Sequence, residues 1–183
     1  MLTARGAKRD LKSQFKLDMR FDILDEDKLV GRLTCNMGAT QATITVDDKA
    51  YTMAATEAEP DGPLADVLRQ ATEGRAKRSN QTFALKDAEG HTLALAKEVK
   101  ANFIVAHAGK AFALRKASFF NPAYNFYPAD SDQPLGSVGQ KSLLARALHM
   151  DLPPEFDAPF RIYLLTLSLQ MAAERSASLN AST

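Results

Sequence analysis

The stretch APFRIYLLTLSLQMAAE, residues 158–174, constrains the fold of this chain more than any other. No charge falls between Arg161 and Glu174. That run is about a dozen residues, short of the roughly 20 a helix needs to cross a bilayer. That length argues against a lone membrane anchor, and strand and helix remain. LTLSLQM alternates as a strand does. The flanks favour a helix: Asp157 is a candidate N-cap, Pro159 falls in the first turn, and MAAERSA is strongly helix-prone. Pro153 and Pro154 stop whatever precedes them. As a helix, the segment gathers Thr166, Ser168 and Gln170 on no narrow face. Leucine and aromatic side chains cover nearly all its sides, so it must be buried all round. Its small hydroxyls can bond back to the preceding turn. Such a helix needs a container.

The rest of the chain reads as strands. In FKLDMRFDI, Phe15, Leu17, Met19, Phe21 and Ile23 alternate with Lys16, Asp18, Arg20 and Asp22, the signature of a half-buried antiparallel strand. DEDK at 25–28 is a polar turn, and LVGRLTC is the return strand, with Gly31 marking a bulge or a close approach. ATITV and AYTMAA flank a DDK turn at 47–49. Between residues 57 and 80 the rhythm breaks. Asp61 is a candidate cap for a short helix with Pro63 in its first turn and Leu64, Val67 and Leu68 on one face; Gly74 ends it. GRAKRSN, residues 74–80, then reads as an exposed loop.

Strands resume with QTFALK, HTLALAK, ANFIVAH and KAFALRKASFF, joined by DAEG and HAGK, both suited to hairpins. NPAYNFYPADSDQPLG is loop with a short strand at Tyr124–Tyr127. GSVGQ and LLARALHMDL supply the last strands, the second also readable as a helix. Nine to twelve short antiparallel strands predict a closed barrel or a sandwich. FDILDEDKLVGRL and FALKDAEGHTLAL form a faint repeat, in which Asp25 and Asp87 each start a turn through side-chain bonds to the backbone. No domain boundary is evident. The chain is predicted to be one domain over residues 1–183, with a core from about 14 to 176 and a polar tail, SASLNAST.

Composition narrows the function classes. The formal net charge is +1. That argues against a polyanion-binding tail and a disordered acidic chain, and leaves no strong nucleic-acid signal; attraction to nucleic acid would have to come from a local patch. Cys35 is the only cysteine. It forms no internal disulfide, makes a poor metal site, and is expected to be a buried thiol. MLTARGAKRDLKSQF is basic but has no apolar core after its charges, so it is not a secretory signal. Asp10 and the shortness of the segment oppose a transit peptide. The expected location is cytoplasmic, with contact at a membrane surface as the companion reading.

Several motifs fail on spacing. GSVGQKS, Gly136 to Ser142, puts two residues between its glycines and Gln140 before Lys141, which is not a phosphate-binding loop. His91, His107 and His149 share no ligand spacing, and the first two are expected to be exposed at hairpin ends. Asp22, Asp25, Glu26 and Asp27 lack the glycine and closing glutamate of a calcium loop and read as a solvated turn. No catalytic residue, metal site or cofactor is predicted. Basic residues recur at Arg75, Lys77 and Arg78, then at Lys97, Lys100, Lys110, Arg115 and Lys116. If their strands pair, the last five are candidates for an anionic lipid-headgroup or phosphate site.

The F-x-[I/L]-x-D-x-[E/D] hairpins, VKANFIVAHAGKAFALRK, and ALHMDLPPEFDAPFRIYLLTLSLQMAAE together resemble the tubby C-terminal-like superfamily. The likeness is closest to LURP-one-related proteins and phospholipid scramblases, and runs from about Phe15 to Glu174. It implies a mainly β fold: a closed antiparallel barrel of about twelve strands enclosing a hydrophobic C-terminal helix. Tubby proteins bind phosphoinositides through basic barrel residues. The palmitoylated cysteines and calcium segment of scramblases have no counterpart here, and no site residue carries over by position.

The expected function is a non-enzymatic binding or scaffolding module. Its partner would be an unknown protein or an anionic membrane surface. The first rival is headgroup binding at the basic surface. An enzyme with a site at the barrel mouth is the second, and a helix filling the barrel leaves it little room.

Overall fold

A computed structural model provides the structure and describes residues 1–6, 18–57, 60–75, 77–100, 102–118, 123–140 and 147–180. Among these residues, twelve strands close into one antiparallel barrel. They are β1 (Leu2–Gly6), β2 (Asp18–Asp25), β3 (Lys28–Asn36), β4 (Gln41–Val46), β5 (Lys49–Thr56), β6 (Lys77–Lys86), β7 (Thr92–Val99), β8 (Asn102–His107), β9 (Lys110–Lys116), β10 (Ala123–Pro128), β11 (Gly136–Gln140) and β12 (Leu148–Asp151). Each strand pairs with its neighbours in sequence, and β12 returns to β1 with Leu2 opposite Met150. Helix α1 (Pro63–Thr72) lies between β5 and β6, and α2 (Ala158–Asn180) follows β12.

Three hairpins turn on two residues that both have positive φ: Glu26 and Asp27 (47° and 70°), Asp47 and Asp48 (48° and 62°), Ala108 and Gly109 (48° and 73°). Paired left-handed residues match the right-handed twist of the flanking strands. These turns, the 87–91 turn and the 129–135 and 152–157 loops all lie at one end of the barrel, the mouth. Helix α2 enters there. Asp157 Oδ1 accepts the Phe160 N–H at 2.9 Å, the cap expected from sequence, with Pro159 in the first turn.

The lumen is filled by α2. Ile162, Tyr163, Leu164, Leu165, Thr166 and Leu167 are all 0% exposed, and Ser168 is 3% exposed. Seven consecutive residues make nearly two turns, so every side of the helix is covered. The inward residues of the wall complete the core, among them Ile23, Leu33, Ile44, Met53, Phe83, Leu85, Phe103, Val105, Leu114 and Phe126. The polar groups of the helix bond within the protein. Thr166 and Ser168 hydroxyls donate to the carbonyls of Ile162 and Leu165 at 2.9 and 2.7 Å. Tyr163 donates to Phe83 O at 2.8 Å, and full burial pushes its phenol well above the ordinary value.

Helix α1 packs on the outside of the same wall. Its Ala65 and Leu68 cover Ala84, Leu95, Val99, Ile104, Ala106 and Ala113, while Leu64 and Val67 pack at the edge. Strands β7 to β9 are thus buried on both faces, which is why they read as nearly continuous apolar runs.

The repeated sequences form the β2–β3 and β6–β7 hairpins, and their likeness reaches the backbone. Register shifts fall at equivalent places, between Ile23 and Leu24 and between Leu85 and Lys86. Asp87 starts its turn as expected, its Oδ1 accepting the His91 N–H at 2.7 Å. Asp25 instead pairs with the N-terminal ammonium at 3.4 Å. Gly31 follows the bulge and is also a close approach: a Cβ there would meet Thr45 O at 2.5 Å.

Four details differ from the sequence reading. Residues 77–80 belong to β6, not to a loop, because β7 offers them a partner: Lys77 lies opposite Val99. Gly62, not Asp61, is the cap residue of α1, and no side chain caps that end. His107 is half-buried rather than exposed, because its strand parity turns it inward behind Phe103 and Val105. Leu2–Gly6 is a strand, closing the barrel between β2 and β12. Phe15–Leu17 of the first predicted strand, Phe119 and Phe120, Leu143–Arg146 and the end of the polar tail fall outside the described residues.

Candidate functional site

The mouth offers a cleft of about 360 Å³ between the starts of α1 and α2 and the hairpins at 87–92 and 107–110. Pro63 and Leu64 come from α1, Leu85, Thr92 and Leu93 from the β6–β7 hairpin, and Asp157 and Phe160 from α2. His107, Ala108 and Gly109 close the remaining side. The tight turn at Ala108–Gly109 leaves no bulk over the opening, and a Cβ at Gly109 would meet nothing within 4 Å.

Three polar side chains line the cleft: half-buried His107, and exposed Thr92 and Asp157. His107 stacks on Phe160, with ring centroids 3.8 Å apart and planes 11° apart. Its Nδ1 lies 3.0 Å from Leu93 O and, facing a carbonyl, carries the proton. In the neutral ring Nε2 is then an acceptor, and it has no hydrogen bond among the described residues. Asp157 spends Oδ1 on the α2 cap, and Oδ2 likewise has no hydrogen bond among them. Arg161, one turn along, is directed elsewhere: its guanidinium donates to Phe156 O at 2.6 Å and Pro153 O at 2.9 Å. Packing fixes the site from below, through edge contacts of Phe126 with Phe156 and Phe160 at 5.4 and 6.0 Å.

The five basic residues singled out by sequence do not form one patch. Lys97 is buried on the outer wall beneath α1, beside Leu68, Arg69 and Thr72. Arg115 pairs with Asp132 at 3.0 Å and lies 4.9 Å from the centroid of the Tyr127 ring. Lys110 stands at the mouth opposite His107, whereas Lys100 and Lys116 lie at the far end. Lys116 is six residue steps along the strand from Lys110, about 20 Å along the wall. Arg75 follows α1, and Lys77 and Arg78 open β6.

The remaining titratable groups have local roles. Asp87, Glu89 and His91 place one ligand atom each within 4.8 Å of one another on an exposed turn. Asp87 Oδ2 meets His91 Nδ1 at 3.0 Å. Desolvation alone would raise the Asp87 carboxyl, but its hydrogen bonds to the His91 side chain and backbone, with the charge of that imidazole, hold it below the ordinary value. His149 is buried with Nε2 3.0 Å from Ser137 Oγ. Cys35 is 2% exposed, and burial, then the Asp18 carboxylate, pushes its thiol up to about 11. Asp25, Glu26 and Asp27 form the expected solvated turn, with Arg5 on Asp27 at 2.8 Å.

Sequence reasoning did not find the cleft. It recognised Asp157 only as a cap and placed His107 in solvent. The parity of ANFIVAH, with Phe103 and Val105 inward, was the available signal for His107. Nothing local links it to residues 63, 92 or 157.

The fold defines the class: an up-and-down β-barrel wrapped around its own C-terminal helix. No family model, curated protein or solved structure matches this chain. No helix among the described residues is long and apolar enough to cross a membrane.

Proposed function

We propose that this chain is a tubby-like, non-enzymatic binding module of the cytoplasm that recognises its ligand at the barrel mouth and outer surface. The occupied lumen carries this reading: α2 fills the space where a barrel of this size would hold a ligand, and its hydroxyls are bound to the protein's own carbonyls. The order of elements, antiparallel strands followed by an enclosed helix, supports the tubby-like part. The test is to titrate full-length protein with small-molecule mixtures and follow backbone amide shifts. Saturable shifts confined to the mouth or outer wall, with the compounds unchanged, would support a module. Shifts centred on Tyr163 to Leu167, or chemical conversion of a compound, would overturn it.

A second reading, headgroup binding, draws on Lys100 and Lys116, which share the far end. Flotation with vesicles containing phosphatidylserine or a phosphoinositide tests it. Salt-sensitive binding lost in K100E/K116E would move the function there; equal binding by that variant would remove those lysines from it.

A further inference from the structure

We infer that the mouth cleft is a site for a small apolar amine: a hydrocarbon body of a few carbons carrying a protonated amino group. The inference rests on the binding-module reading and names its ligand class. Three observations point to it.

The walls are hydrocarbon. Pro63, Leu64, Leu85, Leu93 and Phe160 surround a volume of about 360 Å³, at the lower end of the range for small-molecule sites. Such a space takes a short chain or a single ring.

The two uncommitted side-chain atoms flanking Phe160, His107 Nε2 and Asp157 Oδ2, are acceptors. His107 gives its Nδ1 proton to Leu93 O, leaving Nε2 to accept from a ligand. The free Oδ2 of Asp157 also accepts, and carries charge. A head group that donates hydrogen bonds satisfies both, and an ammonium does so with charge complementarity. A carboxylate or phosphate would face Asp157 at close range and be repelled. The start of α1 has no side-chain cap and leaves the Leu64 N–H unbonded, which would favour an anion, but the Asp157 carboxylate lines the same cleft and opposes one.

The carboxylate has no competing cation. Arg161 is held by backbone carbonyls in the loop before α2, and no ion pair to Asp157 occurs among the described residues. A ligand ammonium therefore displaces water rather than a protein side chain. The pre-stacked His107 and Phe160 rings supply a surface that needs no rearrangement to receive the ligand.

The experiment titrates full-length protein at pH 7 with n-heptylamine, heptan-1-ol and heptanoate, following backbone amide shifts. Heptylamine is expected to give saturable shifts confined to Leu64, Thr92, Leu93, His107, Ala108, Gly109, Asp157, Ala158 and Phe160. Heptanol should bind at least ten-fold more weakly, and heptanoate should not saturate. D157N keeps a good cap residue while removing the charge; it should weaken heptylamine ten-fold or more and leave heptanol unchanged. T92K, at an exposed strand position, provides a cation for Asp157 without touching the cap and should weaken heptylamine similarly. Absence of saturable heptylamine binding, equal binding of heptanoate, or unchanged amine affinity in folded D157N or T92K would each overturn the assignment. If another compound still saturates the outer surface, the binding-module reading survives; shifts at lumen residues would end both.

Discussion

The two helices of this protein lie on opposite faces of one wall, and they differ in what holds them. Helix α1 has a single apolar stripe, with Ala65 and Leu68 buried and its other side in water. Helix α2 has no stripe; residues 162–168 are covered on every side. A one-sided helix can dock on a finished barrel. An all-round apolar helix has no stable exposed state, so barrel closure and helix burial must form together. The same strands serve both: Phe103 and Val105 face α2, while Ile104 and Ala106 face α1.

The largest effect expected from this asymmetry is on removal of α2. Deleting residues 158–183 should leave insoluble or molten protein with no cooperative urea transition and collapsed amide dispersion. A soluble truncation that unfolds cooperatively would erase the distinction between the helices.

Point truncations sharpen the same contrast. F160A removes a ring that stacks on His107 and meets Phe126, and should cost about 3–5 kcal/mol in urea unfolding. L68A in α1 should cost about 2 kcal/mol, because an outer helix can settle onto the strands. Equal losses would mean that α1 is as integral to the core as α2.

Alkaline pH probes the interior through two groups. The Cys35 thiol, ordinarily near 9.0, is pushed to about 11 by burial and by Asp18, and the Tyr163 phenol is also raised. Both hold their proton more tightly folded than unfolded. The stability Cys35 contributes is full below pH 9 and is lost as pH rises from 9 through 11; that of Tyr163 is lost from its ordinary value of 10 upward. The urea midpoint should fall across that window, less steeply in C35A and Y163F. A flat midpoint would show that the interior does not couple to these protons.

The smallest expected effect is at the start of α2. D157A should cost about 1 kcal/mol by removing the cap, whereas D157N should be nearly neutral in thermal unfolding. Equal losses would indicate that the charge of Asp157, not its hydrogen bond to Phe160, anchors the helix.

Much of this fold was legible because its signals are local. Alternation in residues 18–23, the two-residue turns and the cap at Asp157 each depend on neighbours a few positions away. The enclosed helix was legible for the opposite reason: its lack of any polar face admits no other placement. Residues 77–80 misled because their composition is polar, whereas strand identity there comes from pairing with β7.

The sequence by itself determined a series of short antiparallel strands and a C-terminal helix that must be buried, since period and hydrophobicity are properties of each segment. Only the tertiary structure decided where the ring closes, with Leu2 opposite Met150, and which side chains meet at the mouth. Closure is hydrogen bonding between strands far apart in the chain, and the cleft joins Leu64, Leu93, His107 and Asp157 from four separate segments. Neither leaves a periodic trace in sequence. The basic residues show the converse: Lys110 and Lys116 are near in sequence, yet the rise of an extended strand carries them to opposite ends of the barrel.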